Sequence, residues 1–431
     1  MKRTIKFLLP IFFGATMSLA QVTNAEGSKY QFQKVVHLDA TPVQSQGRTG
    51  TCWSFSGMSF FESELMRLGV GKNIVLSEMY TVRKAYEMKA EKYIRMDGKT
   101  NFSEGGAFHD IPLVIRKYGI VPYEFYTGLE NTETYNHGEM FTELNKIMQD
   151  ILPKLGAPEG ISDSWKKDYN KILDKNIGKD VKEFEWEGKK YTPKSFAEHL
   201  QLNMDNYISL TSFTNHEMYK KCLLEIPDNW AWGESYNVEM NDLVQVTVEA
   251  LKNGYTIAWG ADVSEKGFSF RNGIAIVPAD PKSVELVGKD EKNFNTAGAE
   301  RKSNAFSEPS KELNITQELR QEAYDNKTTT DDHGMHIVGL YTNQNGVNYF
   351  LVKNSWGTSN YPKGYLYVSE NYFKYKTINI YLHKDGIPTD IRKKFFSQRV
   401  VSPWNDLPCD IKTAPTLNTF KSRYDKHVKK I

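Results

Sequence analysis

Hydrophobic and polar positions divide the chain into a first part with helical periodicity and a second part with strand-like runs. In the first part the clearest helix follows Cys52, where apolar residues recur at spacings of three and four: Phe55, Met58, Phe61, Leu65 and Leu68. Gly69 is predicted to end this helix, because glycine tolerates the left-handed backbone of a helix C-terminus. Residues 135–235 add further helical stretches rich in Lys, Glu, Asp and Trp.

The second part, from about residue 240 to 385, contains short runs typical of β-strands: TIAWGADV, GIAIVP, HIVGLYT, YFLVKNS and GYLYVSE. The Asn-Gly dipeptide at 345–346 separates two of these runs and is a strong hairpin signal. A two-residue turn there would place Asn354 opposite Ile337 and bring it, given a bulge, near His333. A helical first part and a strand-rich second part predict an α+β protein with two lobes and a cleft between them.

The N-terminus has the layout of a secretory signal peptide. The basic start MKRTIK precedes an apolar stretch, and the sequence SLA at 18–20 offers a cleavage site. We expect residues 1–20 to be removed, with Ala25 as an alternative cleavage position, and the mature protein to be periplasmic or extracellular. The apolar stretch is too short to span a bilayer, and no later run approaches that length, so stable membrane insertion is not expected.

Composition narrows the functional classes. The 431 residues carry a formal net charge of +2, which gives no electrostatic reason to expect nucleic-acid binding. Aromatic residues make up 13% of the chain, as in a folded globular protein. The cysteines are Cys52, Cys222 and Cys409, too few for a disulfide scaffold, and the odd number leaves at least one thiol without an internal partner.

Cys52 is the candidate nucleophile. A thiol attacks as the thiolate, which is favoured by a helix N-terminus, a nearby imidazolium and partial exclusion of water. Cys52 begins the predicted helix after the turn-forming Gly47 and Gly50, so its backbone N–H has no helical acceptor and could stabilise an oxyanion. Gln46 lies shortly upstream, and its amide group could supply a second oxyanion donor.

His333 is the candidate base. It stands just before one apolar run, and Asn354 ends the next. The Asn354 side-chain carbonyl could accept the imidazole N–H and fix the tautomer and orientation of the ring, while Trp356 could cover that hydrogen bond. His336 competes for the same role, but it lies within the apolar run and is expected to pack there.

Three groups of motifs occur in the order found in papain-like cysteine peptidases: QGRTGTCWSF, DHGMHIVGL, and KNSWG with KGYLYV. The chain resembles that class, and from about 35 to 395 it is similar to the bleomycin hydrolase and aminopeptidase C family, especially shorter bacterial members with signal peptides. Cys52 and His333 lie much further apart than the roughly 130–150 residues of papain and cathepsins, which implies an insertion at about 135–235. Thr49 stands where secreted papains place a disulfide cysteine.

The resemblance implies a papain-like two-lobed fold over residues 26–395, with a helical lobe, a β-barrel-like lobe and the helical insertion. Carried over by motif, Cys52 is the nucleophile, His333 the acid and base, and Asn354 the group that orients it. Gln46 takes the role of oxyanion donor.

Gly105 and Gly106 match the paired glycines that bind the substrate backbone in this family. Without side chains, such a segment can lie against a peptide, although a plain Gly-Gly turn is the alternative. The resemblance further implies peptide substrates, removal of single residues from free N-termini, and assembly as a hexameric barrel. A papain-like endopeptidase is the alternative function.

Residues 396–431 depart from the family. The motifs WNDLP, APTLN and FKSR resemble the closing stretch of retroelement reverse-transcriptase reading frames, so we predict an atypical C-terminal extension. In the family the C-terminal carboxylate binds the substrate amine, and the extension leaves that anchor unassigned.

Two other interpretations of the candidate site are possible. The group Asp331, Asp332, His333 and His336 has ligand types that suit zinc. The segment lacks an HExxH helix, and neighbours on a strand alternate faces, so we predict no metal and no cofactor. A transglutaminase-like acyl transferase also uses Cys, His and a third polar group in this order, but its third group is more often Asp than Asn354.

Overall fold

The computed structural model describes residues 22–130, 132–156, 164–287, 300–395 and 407–428. The predicted signal peptide at 1–20 lies outside the described residues, as do 396–406 and 429–431 of the predicted extension. Across the described ranges, none of the helices combines the length and apolar character needed to cross a membrane.

The elements follow the predicted division of the chain. The helices are α1 (Cys52–Arg67), α2 (Glu78–Arg95), α3 (Asp110–Tyr118), α4 (Gly138–Ile151), α5 (Ser164–Ile177), α6 (Pro193–His199), α7 (Met240–Lys252), α8 (Gln317–Asp325), α9 (Glu370–Lys376), α10 (Cys409–Lys412) and α11 (Leu417–Val428). The strands are β1 (Phe32–His37), β2 (Phe184–Trp186), β3 (Lys189–Tyr191), β4 (Tyr207–Thr211), β5 (Lys221–Leu223), β6 (Glu234–Asn237), β7 (Ile257–Ala261), β8 (Phe268–Ser269), β9 (Ile274–Ala275), β10 (Glu285–Val287), β11 (Glu300–Lys302), β12 (His333–Asn343), β13 (Asn348–Lys353), β14 (Tyr365–Ser369) and β15 (Thr377–His383).

Most strands belong to one mixed 11-stranded sheet, with the order β5-β6-β4-β15-β7-β12-β13-β14-β9-β8 and β1 paired to β12. Neighbours are antiparallel except for β4 with β6 and β9 with β14. The predicted α+β class is confirmed. Among the described strands the sheet stays open and does not close into a barrel.

The α1 helix lies at the centre of the molecule, between the sheet and the other helices of the first part. Its residues from Trp53 to Leu65 are all buried, so the helix is covered on every side and not only on the predicted apolar face. Gly69 follows the helix with a φ of +74°, as expected for a helix stop. Leu68, predicted to lie on the apolar face, is 44% exposed because it follows the last helical residue.

Buried polar residues tie α1 to β12 and β13. Thr41 donates a hydrogen bond of 2.5 Å to the Glu62 carboxylate, and Lys353 Nζ donates to Thr41 Oγ1 at 3.0 Å and to Ser59 Oγ at 2.7 Å. Ser59 Oγ is in turn 2.9 Å from His336 Nδ1, so His336 packs in the interior as predicted. Burial raises the pKa of Glu62 to about 7 and lowers the pKa of Lys353 to about 8.

The β12–β13 hairpin turns at the predicted Asn-Gly dipeptide, but its register was wrongly predicted. Ile337 pairs with Val352, and not with Asn354. The loop is longer than two residues: Gly346 has a φ of +75°, and its N–H donates to the Asn343 carbonyl at 2.9 Å. A left-handed glycine that closes a three-residue loop shifts the register, and a bulge after Ile337 shifts it again.

The segment 135–235, predicted to be a helical insertion, contains α4, α5 and α6 together with strands β2 to β5. Apolar residues of its helices join the same core cluster as α1 and α2, among them Leu144, Met148, Tyr169 and Leu173. The described part of the predicted C-terminal extension forms α10 and α11, and Ile411 of α10 is 2% exposed.

We expect Lys353→Ala to destabilise the fold by about 3–5 kcal/mol, because it removes the buried hydrogen bonds to Thr41 and Ser59 and the positive charge that lowers the pKa of buried Glu62. The free energy of unfolding, measured by urea titration, tests this. Lys146→Ala is the control, since its side chain is 74% exposed on α4 and its loss should cost less than about 0.5 kcal/mol. Equal effects of the two substitutions would contradict the role assigned to the buried network.

Candidate active site

Cys52 is the first residue of α1 and lines a cleft of about 610 Å³. One wall of the cleft comes from the helical part of the chain, and the other includes the loop that precedes β12. The turn before the helix depends on Gly47, whose φ is +58° and where a Cβ would lie 2.4 Å from the Tyr135 carbonyl oxygen. The nucleophile candidate therefore lies where helix N–H groups have no intrahelical acceptor.

His333 and Asn354 come together at one end of the sheet. His333 begins β12, and its Nε2 lies 2.7 Å from Asn354 Oδ1. The Trp356 ring packs against the imidazole, with 4.6 Å between the ring centroids. The backbone N–H of Gly334, next to His333, donates a hydrogen bond to the Cys52 sulfur, so the start of β12 is in direct contact with the start of α1.

Backbone contacts hold Asn354 in place after β13. The Asn354 N–H donates to the Gly364 carbonyl at 3.0 Å, and the Ser355 N–H donates to Asn354 Oδ1 at 2.8 Å. Asn354 Oδ1 thus accepts from Ser355 while it faces His333. This arrangement fixes the side chain without help from the hairpin register.

Gln46 is buried beside this loop. Its Oε1 accepts a hydrogen bond of 2.7 Å from Ser355 Oγ, and its Nε2 donates one of 2.7 Å to the Thr49 carbonyl. The backbone N–H of Gln46 also donates to the Ser355 carbonyl at 2.9 Å. An amide nitrogen has two hydrogens, so one remains for an oxyanion. Ser355 links Gln46 to the Asn354 loop, which the sequence motifs alone did not indicate.

Gly105 lines the cleft, and Gly106 follows it beneath the Trp53 ring. A Cβ on Gly105 would lie 1.9 Å from Asp228 Oδ2, and one on Gly106 would lie 2.9 Å from Trp53. Both positions require glycine because neighbouring side chains occupy the space. Lys89 Nζ donates to the Gly105 carbonyl, which anchors the segment from the opposite side.

Burial governs the protonation of the two central groups. It raises the pKa of the Cys52 thiol to about 12, to which the carboxyl groups of Asp228, Asp331 and Asp332 contribute. Burial also lowers the pKa of His333 to about 4. Each pKa shift disfavours the charged form of its own group, the thiolate of Cys52 or the imidazolium of His333, when no opposite charge is nearby. Transfer of the thiol proton to His333 creates both charges together, and their attraction offsets part of that cost.

Asp228 and Asp331 line the same cleft and were not predicted as site residues. The pair of aspartates before His333 was considered only as metal ligands, and Asp228 lies in a segment without any motif. Burial raises the pKa of both carboxyl groups, and neighbouring acids raise that of Asp331 further. The only sequence signal for this group is the Asp-Asp dipeptide next to the base.

Comparison with known proteins establishes the family. The Peptidase C1-like family model matches residues 14–279 and 303–408, so the chain belongs to this family and is a cysteine-type peptidase. The match continues into the first residues of the predicted extension.

Relatives cover nearly the whole chain. Aminopeptidase G of Lactobacillus delbrueckii subsp. lactis is 24% identical over 409 residues, which is 86% of this chain and 87% of the relative. Bleomycin hydrolase of Mus musculus is 24% identical over 462 residues, covering 93% and 94% of the two chains. The crystal structure of PepW from Lactobacillus rhamnosis HN001 matches with a TM-score of 0.64 at 19% identity, covering 87% and 86%. The papain-like fold and the bleomycin hydrolase and aminopeptidase C resemblance are thereby confirmed.

We expect Gln46→Ala to lower kcat by about 10²–10³-fold, as loss of one oxyanion donor does. Ser355→Ala should lower it by about 3–10-fold, because it removes one hydrogen bond that positions the Gln46 amide. Steady-state hydrolysis of an aminoacyl-coumarin amide measures both.

The control is Ser63→Ala, which removes a buried α1 hydroxyl that donates to the Asp39 carbonyl at 2.9 Å, away from the cleft. If Ser63→Ala lowers kcat as much as Ser355→Ala, the effect of Ser355 is structural and the assigned role is wrong.

Proposed function

We propose that the protein is an aminopeptidase that hydrolyses short peptides through an acyl-enzyme on Cys52. The observation that carries the proposal is the contact between the N-terminus of α1 and the start of β12. The first bears Cys52, and at the second His333 is hydrogen-bonded to Asn354. A nucleophile, a base and an orienting group in this order form the arrangement of a cysteine-type triad.

In the proposed reaction His333 accepts the thiol proton, and Cys52 Sγ attacks the carbonyl carbon of the substrate. Since His333 Nε2 faces Asn354, Nδ1 is the nitrogen that exchanges this proton. The backbone N–H of Cys52 and the Nε2 amide of Gln46 stabilise the oxyanion. His333 then protonates the leaving amine as the C–N bond breaks, and it activates the water that hydrolyses the thioester.

The substrate backbone lies along Gly105 and Gly106. Gly105 lines the cleft that contains Cys52, and Asp228 occupies the space on its Cβ side, so a peptide would lie against the glycine backbone on the side that faces the cleft. In this position the substrate peptide would be extended, like a strand added beside an exposed backbone segment.

The choice of an aminopeptidase over a papain-like endopeptidase is supported by the relatives. They include proteins named aminopeptidase C, aminopeptidase E and aminopeptidase W, besides aminopeptidase G. An acyl transferase of the transglutaminase type remains the weaker alternative, because Asn354 occupies the third position.

We expect a dipeptidyl substrate with a free N-terminus to be hydrolysed at least about tenfold faster, in kcat/KM, than its N-acetylated form, because a bound ammonium adds a charge-assisted interaction. Parallel progress curves with the two substrates measure this ratio. Cys52→Ala should abolish hydrolysis of both and serves as the control for contaminating activity. Equal rates for the two forms would favour an endopeptidase.

We also propose export through the predicted signal peptide and assembly as a hexamer. Export is supported by the basic and apolar N-terminal sequence, and the hexamer by the family resemblance alone. N-terminal sequencing of the mature protein would contradict export if residues 1–20 were retained. Light scattering that gives the mass of a monomer would exclude the hexamer.

A further inference from the structure

An aminopeptidase must bind the positively charged α-ammonium of its substrate, and the proposed chemistry does not assign a group to this task. The cleft that contains Cys52 is lined by four acidic residues: Glu104, Asp228, Asp331 and Asp332. We propose that Asp228 and Asp331 bind the substrate α-ammonium and so restrict the enzyme to free N-termini. This inference rests on the proposed aminopeptidase function and deepens it.

Asp331 is the group without a structural task. Its Oδ2 is fully buried and accepts no hydrogen bond from any residue that the structure describes. The charged groups around it are the carboxyl groups of Asp228, Asp332 and Asp262, so its surroundings are acidic. The Asp331 side chain as a whole is only partly buried and lines the cleft, so a ligand with a positive charge and N–H donors can reach this acidic group.

Asp228 completes the site beside the glycine segment. Its Oδ1 accepts from Asn101 Nδ2 at 2.8 Å and from Ser103 Oγ at 3.3 Å. Its Oδ2 lies 1.9 Å from the position that a Cβ on Gly105 would take. Since the substrate backbone is proposed to run along Gly105, we place the peptide N-terminus beside this oxygen.

The neighbouring acids have other functions. Asp332 accepts from the backbone N–H groups of Val263 at 2.8 Å and Ser264 at 3.2 Å. Asp262 accepts from Ser264 and Thr330, both at 2.9 Å. These two carboxyl groups hold the loop before β12. Glu104, which also lines the cleft, accepts from the Gly50 N–H at 2.8 Å and so supports the turn before Cys52. We therefore assign the ligand to Asp228 and Asp331.

Two basic residues lie near the cleft, Lys89 and Arg48. Lys89 Nζ donates to the Ser103 carbonyl at 2.7 Å and to the Gly105 carbonyl. Its charge lowers the pKa of Asp228 against the effect of burial, which favours one ionised carboxylate in the pair. Arg48 also lines the cleft, beside the turn that precedes Cys52.

The ammonium would also affect the nucleophile. Asp228 and Asp331 both raise the pKa of the Cys52 thiol, because they oppose a second negative charge in the cleft. A substrate ammonium bound between the carboxyl groups would offset that repulsion when the substrate arrives. Recognition of the N-terminus and activation of the thiol would then be coupled through the same charges.

The test compares free and N-acetylated forms of one dipeptidyl substrate in the full chain. We expect Asp331→Asn and Asp228→Asn each to lower the ratio of kcat/KM for the free form to that for the acetylated form by about tenfold or more. The loss should be mainly a higher KM for the free form. Asp168→Asn is the matched control, because its side chain is 61% exposed on α5, and it should keep the wild-type ratio.

The outcomes separate this inference from the function on which it rests. A wild-type ratio near one would contradict the aminopeptidase proposal itself. A high wild-type ratio that both variants retain, with wild-type thermal stability, would overturn the ammonium site alone. If one of the two variants fails to fold, the other decides: a high ratio in that variant, at wild-type thermal stability, overturns the ammonium site.

The chain's own C-terminal carboxylate is the competing anchor and needs its own variant. Two glycines added after Ile431 would displace that carboxylate while Asp228 and Asp331 remain. We expect the extended chain to keep the wild-type ratio. Loss of the preference in the extended chain, together with its retention in both aspartate variants, would assign the ammonium to the C-terminus and overturn the inference.

Discussion

The active site depends on one packing contact, that between the first turn of α1 and the first residues of β12. A Cβ on Gly334 would lie 3.3 Å from Trp53 Cα and 2.9 Å from Ser56 Oγ, so only a glycine allows the strand to approach the helix this closely. The residue before Gly334 is His333, so the base begins the strand that contacts the helix of the nucleophile. Burial of α1 on every side, together with the network around Lys353, keeps the helix in that position.

The same contact determines the electrostatics of the cleft. Burial disfavours a charge on Cys52 or on His333 when either stands alone. The cleft therefore favours chemistry in which charges appear in pairs: thiolate with imidazolium, and carboxylate with substrate ammonium. An oxyanion would likewise form beside N–H donors that are already oriented, because Ser355 holds Gln46 before the substrate arrives.

Local sequence patterns were sufficient to predict the elements that depend on residues close together in the chain. The apolar spacing after Cys52 predicted α1, Gly69 predicted its end, and the runs around residues 333–354 predicted a hairpin with His333 and Asn354 near one another. The hairpin register failed because the loop closes on a left-handed Gly346 with one more residue than the dipeptide suggested.

Features that depend on tertiary packing could not be predicted from the sequence. The periodicity of α1 predicted one buried face, but its serines and glutamates are buried as well, since partners from distant segments satisfy them. Asp228 and Asp331 meet in one cleft although they are far apart in the chain, and no spacing rule relates them. Gly105 was identified by motif, yet the Asp228 carboxyl group that requires a glycine there became apparent only from the fold.

The central claim is that Cys52 carries a covalent acyl group during turnover. Rapid acid quenching of the enzyme with a slowly hydrolysed aminoacyl ester, followed by mass spectrometry of peptides, tests it most directly. We predict an adduct with the mass of the aminoacyl group on the peptide that contains Cys52, and none on those that contain Cys222 or Cys409. Turnover without an adduct on Cys52, or an adduct on another residue that persists in Cys52→Ala, would contradict the account.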